Sequence, residues 1–202
     1  MTSPRLAVPP GRAGRLWLLR RLETARRGAD LLDRKLRILQ AELATLEAAA
    51  VRTGARWDDS QAEANTWLVR AALLGGERAI RLAGDGQTAE VRIAYTTTMG
   101  IRHPSGAECS IPPTSAWDGP VMARTRRAHW NALDAAAQHA AATAAVRVVQ
   151  DEVRTTRYRL HAVKDRWIPR LEQALSEVTF AIEEQERADA ARLRLAAGKP
   201  GR

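Results

Sequence analysis

Cysteine and histidine, the residue types that most often serve as nucleophiles, bases or metal ligands, are few and scattered in this chain. Its single cysteine is Cys109, and its four histidines are His103, His129, His139 and His161. None of the histidines has a carboxylate or cysteine at a spacing typical of metal ligands, and the chain contains no glycine-rich phosphate loop, HExxH or CxxC motif. We therefore predict no catalytic residue, no cofactor site and no metal site.

Charge is the strongest chemical signal in the sequence. The formal net charge is +9 and the sequence pI is about 11.0, with arginine as the main contributor. This balance favours an acidic partner such as nucleic acid, anionic lipid or an acidic protein surface, but solvated arginine-rich helix faces explain it equally well. Glu183, Glu184 and Glu186 stand beside Arg187, which favours ion pairs on an exposed helix face.

Cysteine usage and hydropathy bear on the compartment. A single cysteine excludes a disulfide within the chain and fits a reducing cytoplasm. Residues 1–14 lack the apolar run of a signal peptide, and no segment approaches the ~20 apolar residues that span a bilayer. We expect a soluble protein without direct membrane insertion.

An apolar series near the amino terminus predicts the element that organises the chain. From Leu18 to Ala50 apolar residues recur at alternating steps of four and three, an average period of about 3.5, as in the seam of a left-handed coiled coil. The series consists of Leu18, Leu22, Ala25, Ala29, Leu32, Leu36, Leu39, Leu43, Leu46 and Ala50. A seam requires a partner helix. Gly28 adjoins this seam, and we expect a neighbouring backbone to approach closely there.

The carboxyl-terminal part of the chain supplies the partner helix. Its seam begins with Val146, Val149, Val153 and Thr156 and continues through Leu160, Val163, Trp167, Leu171, Ala174, Val178 and Ile182. The second part of this series has an eleven-residue repeat, which locally unwinds a left-handed supercoil. Pro169 lies within it and lacks a backbone donor, so a kink is expected.

The segment between the two helical regions has a different pattern. Val91, Ile93 and Tyr95 alternate with other residues at a period of two, which predicts a strand. The sequence His103–Gly106 favours a turn, and residues 107–111 a returning strand. A short helix is expected over residues 77–82.

These elements predict a mainly α fold. The amino- and carboxyl-terminal segments form a long antiparallel two-helix coiled coil, with a small β-hairpin and short-helix module between them. The predicted parts are a flexible lead-in (1–12), two shaft helices (13–74 and 121–197), the module (75–120) and a flexible tail (198–202). Both termini then meet at one basic tip, with Arg12, Arg15, Arg20, Arg21, Arg187, Arg192, Arg194, Lys199 and Arg202.

Three motifs in this order resemble the D subunit of the V-type (vacuolar or archaeal-type) ATPase/ATP synthase. The first helix contains Arg27-Gly28-Ala29-Asp30-Leu31-Leu32, similar to the family's Arg-Gly-x-x-Leu-Leu segment. Met99-Gly100-Ile101 is similar to a Met-Gly-Val type strand of the family. Ile168-Pro169 and the later Arg192-Leu193 stand at the spacing of the family's last helix.

The resemblance implies a non-catalytic central rotor subunit for ATP-coupled proton transport. The helical hairpin would insert into a ring of nucleotide-binding A and B subunits. The small F subunit of the stalk and a funnel-shaped C (or d) subunit would link its other end to the membrane rotor ring. It implies a cytoplasmic protein that is peripheral to the membrane. The expected ring contacts are Arg15, Arg20, Arg21, Arg187, Arg192 and Arg194.

Two other classes of protein remain open on the residues alone. A nucleic-acid-associated coiled coil would account for the positive charge, although no aromatic platform accompanies the spread of basic residues. A scaffold coiled coil would account for the seam but leaves the central module unexplained.

Overall fold

The computed structural model describes residues 6–83, 88–110 and 119–197. Its architecture confirms the predicted mainly α fold with a two-stranded antiparallel hairpin in the middle of the chain. The elements in chain order are α1 (Gly11–Ala83), β1 (Glu90–Thr98), β2 (Ile101–Ser110), α2 (Pro120–His161), a π-helix (Ala162–Trp167) and α3 (Ile168–Ala197). The predicted tail 198–202, the strand end at Ile111, and Lys199 and Arg202 of the tip lie outside the described residues.

Helix α1 is interrupted near its carboxyl end. Gly76 has φ 69° and ψ 169°, values that glycine adopts without the steric cost paid by other residues. Helical structure resumes beyond it and ends at Ala83, whose carbonyl accepts a hydrogen bond from Arg126 Nη2 at 3.4 Å. The last carbonyls of a helix lack intrahelical partners, so this arginine satisfies one of them and also complements the helix dipole.

Helix α2 begins where sequence rules place a helix start. Pro120 is its first residue, where a proline costs nothing because the first N–H groups have no intrahelical partner. The N–H of Ala123 donates to the carbonyl of Gly119 at 3.0 Å and closes the first turn. The alanine-rich run that follows has high intrinsic helix propensity.

The chain divides into two compact units, each containing part of α1 and part of the carboxyl-terminal helices. The first unit comprises Met1–Leu36 and Thr155–Arg202, and the second Arg37–Arg154. In the first unit, Arg12 pairs with Glu186 and Arg26 with Glu172, so the two helical segments run antiparallel. In the second unit, Thr53 meets His139 and Trp67 meets Thr125, which again gives an antiparallel pair.

The turn of the β-hairpin lies at Met99 and Gly100, and the predicted turn at His103–Gly106 is wrong. Met99 has φ 51° and Gly100 φ 82°, as a two-residue hairpin turn of type I′ requires. The prediction of a strand at Met99 and Gly100 is therefore corrected, since only Ile101 of that motif begins a strand. Glycine accommodates the positive φ, whereas Met99 adopts it at a steric cost.

Residues 103–106 continue strand β2 because a bulge absorbs the turn-forming sequence. Gly106 lies opposite Ala94 and Pro104 opposite Tyr95, which leaves Ser105 as an extra residue on β2. A bulge interrupts the ladder locally, so the missing N–H of Pro104 costs little there. The pattern of Pro, Ser and Gly that favours a turn in the sequence thus marks a strand irregularity.

We expect Met99→Asn to stabilise the hairpin by about 0.5–1 kcal/mol, because asparagine tolerates the left-handed conformation far better than methionine. Amide hydrogen exchange of Thr98 and Ile101, the paired residues that flank the turn, should slow accordingly. Unchanged or faster exchange would contradict the assigned turn geometry.

Candidate functional site

The predicted seam of α1 coincides with the buried face of that helix. All ten predicted positions from Leu18 to Ala50 are buried or half-buried, and Leu18 and Leu39 are fully buried. The same alternation of four and three continues through Thr53, Trp57, Ser60, Ala64, Trp67 and Ala71, none of which is exposed. Sequence reasoning missed this continuation because Thr53 and Ser60 are polar and break the apolar series. The buried face of α1 therefore extends well beyond Ala50.

A leucine cluster joins α1 and α3 in the first unit. Leu18, Leu22 and Leu171 form its buried centre, and half-buried residues pack around them. The surrounding residues include Trp17, Ala25, Trp167, Ile168, Ala174, Leu175 and Val178. The structure thus brings together seven of the predicted seam residues: Leu18, Leu22, Ala25, Trp167, Leu171, Ala174 and Val178. Ile182 is half-buried farther along the same helix.

Residues before α1 also contribute to this cluster. Leu6 and Val8 pack against it, within the segment that the sequence predicts as a flexible lead-in. Gly14 permits this arrangement: a Cβ placed there would lie 1.9 Å from the carbonyl oxygen of Pro9. The close approach expected at Gly28 is wrong, because a Cβ there would meet nothing within 4 Å. Steps of three and four locate a seam, but they do not reveal which glycine is approached.

In the second unit the seam is built from smaller side chains. Leu39 and Val149 are fully buried, and Leu43 and Leu46 are half-buried. In the first unit, the seam residue Leu32 is half-buried and Leu36 is buried. Farther along the second unit, Ala64 packs with Ala128 and Ala132 beside the half-buried Trp67. The guanidinium groups of Arg70 and Arg124 lie 4.7 and 5.3 Å from the Trp67 ring centroid. Small residues allow the helices to approach closely at this point.

The change in apolar spacing along the carboxyl-terminal seam coincides with a π-helix. Leu160, Val163 and Trp167 are half-buried, and residues 162–167 adopt the wider π conformation. The N–H of Ile168 donates to the carbonyl of Val163, five residues earlier rather than four. Pro169 follows immediately and has no N–H to donate. A π-helical turn adds one residue to a helix, so it accommodates both the proline and the altered spacing of the seam.

The six arginines expected to contact the ring differ in their surroundings. Arg187 is paired with Glu183 and Glu184, and Arg192 with Asp189 at 3.1 Å. These intrahelical pairs are exposed, so each is worth only a few tenths of a kcal/mol. They nevertheless place a carboxylate beside each guanidinium and reduce its attraction for an external acidic group.

The other four expected ring contacts, Arg15, Arg20, Arg21 and Arg194, have no carboxylate partner among the described residues. The guanidinium of Arg21 lies 4.7 Å from the ring centroid of Trp17 and 5.9 Å from that of Trp167, so it bridges two aromatic side chains from α1 and the π-helix. Within the described part of the chain, Arg15, Arg20 and Arg194 form no ion pair. They are the tip charges most available to a partner.

Three of the four histidines, His103, His129 and His161, make contacts with residues close to them in the chain. His103 is buried, and its Nδ1 donates to the carbonyl of Pro104 at 3.1 Å while Nε2 lies 3.2 Å from Thr98 Oγ1. His129 Nδ1 lies 2.9 Å from the Thr125 carbonyl, and His161 Nδ1 2.7 Å from Asp165 Oδ2. In residues 6–83, 88–110 and 119–197, no group of three or more His, Cys, Asp or Glu side chains is arranged to hold a metal ion. None of the helices described has a stretch long and apolar enough to cross a bilayer.

Comparison with known proteins gives a consistent result over nearly the whole chain. A family model that describes the D subunit of ATP synthase matches residues 16–198. The chain is 28% identical over 192 residues to the V-type ATP synthase D subunit of Anaeromyxobacter dehalogenans (strain 2CP-1), covering 91% of this chain and 92% of that protein. It is 29% identical over 207 residues to the V-type ATP synthase D subunit of Anaeromyxobacter sp. (strain Fw109-5), covering 96% and 95%. It is 27% identical over 195 residues to the A-type ATP synthase D subunit of Methanopyrus kandleri, covering 93% and 84%.

Proposed function

Since this chain belongs to the D-subunit family of ATP synthases, we propose that it is the central-stalk rotor subunit of a V-type or A-type rotary ATPase/ATP synthase. In this role it transmits torque between a nucleotide-binding ring and a membrane rotor, and so links ATP turnover to ion transport. It is a component of a membrane-associated complex, and its own part is mechanical rather than catalytic.

The buried seam is the observation that carries the mechanical part of this proposal. Every seam position of α1 from Leu18 to Ala71 is withdrawn from solvent. Two helices packed along such a seam resist twisting better than one, because rotation of either must disrupt close-packed side chains. The leucine cluster around Leu171 and the stacked arginines on Trp67 add bulky contacts along it.

The proposed partners divide by position along the chain. The ring of A and B subunits surrounds the part formed by the two termini and carries out the ATP chemistry. The small F subunit of the stalk and the funnel-shaped C (or d) subunit join the chain to the membrane rotor. The protein itself stays on the cytoplasmic side, attached to the membrane through the complex.

For the ring contact we favour the outer face at the start of α1. Arg15 and Arg20 are exposed without ion-pair partners among the described residues, and Leu16 and Leu19 between them are 58% and 41% exposed. A face that combines free positive charge with apolar side chains suits a ring lining that is partly acidic and partly apolar. The paired arginines Arg187 and Arg192 contribute less to this contact.

The double substitution Arg15→Glu/Arg20→Glu should weaken association with the ring at least about tenfold at low salt, and less at high salt, because the attraction is between partly exposed charges. Its own unfolding midpoint should change little, since neither side chain is buried. Arg78→Glu/Arg81→Glu makes the same charge change on exposed residues of the second unit and is the matched control. Equal weakening by both double variants would contradict the assignment of the ring contact.

Deletion of this chain tests the function itself. We expect the chain to co-purify with the ring, one copy per six ring subunits, and the ring assembled without it to lose coupling between ATP turnover and ion movement. A fully coupled complex lacking the chain would refute the rotor role. A homodimer or filament without ring subunits would instead support a scaffold.

A further inference from the structure

One bulky polar side chain lies in an otherwise small-residue stretch of the second unit's seam. Along α2 the buried positions Ala128, Ala132, Ala135 and Ala145 are alanines, and His139 stands among them as a half-buried residue. Alanines facing a partner helix leave nearly the same surface after an axial shift. Shape alone therefore discriminates poorly between neighbouring registers in this stretch.

The imidazole of His139 fits a cradle on α1. Its ring stacks on the Trp57 indole with a centroid separation of 5.6 Å and an interplanar angle of 19°. It also lies over Gly54, where an added Cβ would stand 3.2 Å from Cε1 of the imidazole. Gly54 thus leaves the space that the ring occupies, and Trp57 forms one wall of that space.

A directed hydrogen bond completes the cradle. His139 Nδ1 lies 3.3 Å from Thr53 Oγ1. That hydroxyl is also 3.0 Å from the carbonyl oxygen of Ala49 and 3.1 Å from that of Ala50. The hydroxyl donates to these carbonyls, and its oxygen accepts a hydrogen bond from His139 in the tautomer that carries the proton on Nδ1.

A second polar contact lies beside the first. Arg56 Nη1 donates to Gln138 Oε1 at 3.2 Å, and Gln138 Nε2 donates to Asp134 Oδ2 at 2.8 Å. Arg56 Nη2 lies 3.8 Å from the same Asp134 oxygen. The Arg56 side chain is exposed, so these contacts reinforce the same pairing of α1 with α2 more weakly.

We propose that His139 acts as a register key, which fixes the axial position of α2 against α1 within the second unit. A shift of one helical turn, about 5.4 Å, would place the ring over Ala50 or Asp58 instead of Gly54. Both residues carry a Cβ where the ring requires space, and the bond to Thr53 would be lost. Single polar residues in the seams of coiled coils select register in the same way, at some cost in stability.

A fixed register of α2 against α1 would serve the proposed function, and this part of the inference rests on that function. A stalk subunit under torque experiences forces that slide one helix along the other. An alanine seam buries little surface to oppose sliding, since burial energy follows apolar area. One shape-specific, hydrogen-bonded contact prevents slippage without thickening the pair of helices.

Disulfide cross-linking of the isolated full-length chain measures register directly. In a Cys109→Ser background, Ala64→Cys with Ala128→Cys reports the observed register, since both alanines belong to one buried cluster. Ser60→Cys or Leu68→Cys with Ala128→Cys reports a shift of one turn. Disulfides form only between closely placed Cβ atoms, so we expect the first pair to oxidise at least about tenfold faster than the others.

His139→Ala should lower this ratio of rates by roughly tenfold while helix content by circular dichroism is retained, because alanine favours helix but removes the key. Gly54→Leu should lower the ratio similarly, because it fills the cradle while His139 remains. His161→Ala removes an exposed α2 histidine whose ring pairs with Asp165, four residues along the chain, and it should leave the ratio unchanged.

An unchanged ratio in both His139→Ala and Gly54→Leu would overturn the register key. This outcome is independent of the proposed function, because the assay involves no ring. Conversely, failure to co-purify with a ring would refute the rotor role and leave the cross-linking result intact.

Discussion

Leu171→Asp is expected to destabilise the protein by more than about 4 kcal/mol and to open the packing of the first unit. Leu171 is 0% exposed and belongs to the buried cluster with Leu18 and Leu22 of α1. Truncating a buried leucine alone costs about 2–5 kcal/mol, and a carboxylate without a partner adds its desolvation cost. Globular domains have only about 5–15 kcal/mol of stability, so a large part of it would be lost. Urea unfolding followed by circular dichroism measures the change.

Leu193→Asp is the matched control for this substitution. It makes the same chemical change on the same helix α3, but Leu193 is 71% exposed. Its effect should stay within about 0.5 kcal/mol, as is usual for surface positions. Similar losses in the two variants would show that the leucine cluster does not hold α1 and α3 together.

Alanine at Gly14 and alanine at Gly28 should change stability in opposite directions. At Gly14 the new Cβ collides with the Pro9 carbonyl, so the segment containing Leu6 and Val8 must leave the leucine cluster. We expect a net loss of about 1–3 kcal/mol, the scale for exposing two partly buried aliphatic side chains. At Gly28 nothing obstructs the Cβ, and alanine should add up to about 1 kcal/mol through helix propensity.

Two measurements separate these effects. Urea unfolding gives the sign of each change, and limited proteolysis shows whether residues 6–10 are released only in Gly14→Ala. Because both variants replace glycine by alanine within α1, differences in propensity cancel in the comparison. Equal stability of the two variants would mean that the lead-in does not pack on α1.

The leucine-rich part of the fold could be predicted from the sequence because leucine spacing alone defines a helix face. From Leu18 to Leu46 the steps of three and four are carried by leucines, with alanine only at Ala25 and Ala29, and this face is the buried one. Beyond Ala50 the same face carries Thr53, Trp57 and Ser60. Residue type then no longer reveals the seam, because small and polar residues are buried there by the close approach of the helices.

The hairpin shows how local sequence can mislead. His103-Pro104-Ser105-Gly106 has the composition of a turn, yet pairing with β1 holds it in a bulged strand. The true turn contains Met99, a residue that turn statistics disfavour. Cross-strand pairing, which depends on distant residues, here outweighs local preference.

The tip arginines were equivalent in the sequence but differ in the structure. The pairs of Arg187 with Glu183 and Glu184 are those that the sequence predicts from helix spacing, and the pair of Arg192 with Asp189 follows the same spacing. The bridging of Trp17 and Trp167 by Arg21 could not, since it unites residues far apart in the chain. The same limit applies to the cradle of His139, whose parts belong to α1 and α2.

Rotation of this chain within the assembled complex tests the rotor role most directly. The ring would be fixed to a surface and a visible probe attached to this chain through a cysteine introduced at an exposed position of the second unit, in the Cys109→Ser background. We expect unidirectional rotation of the probe during ATP hydrolysis, and arrest when ATP is withdrawn. A probe that stays fixed relative to the ring while ATP is hydrolysed in a coupled complex would contradict the rotor role.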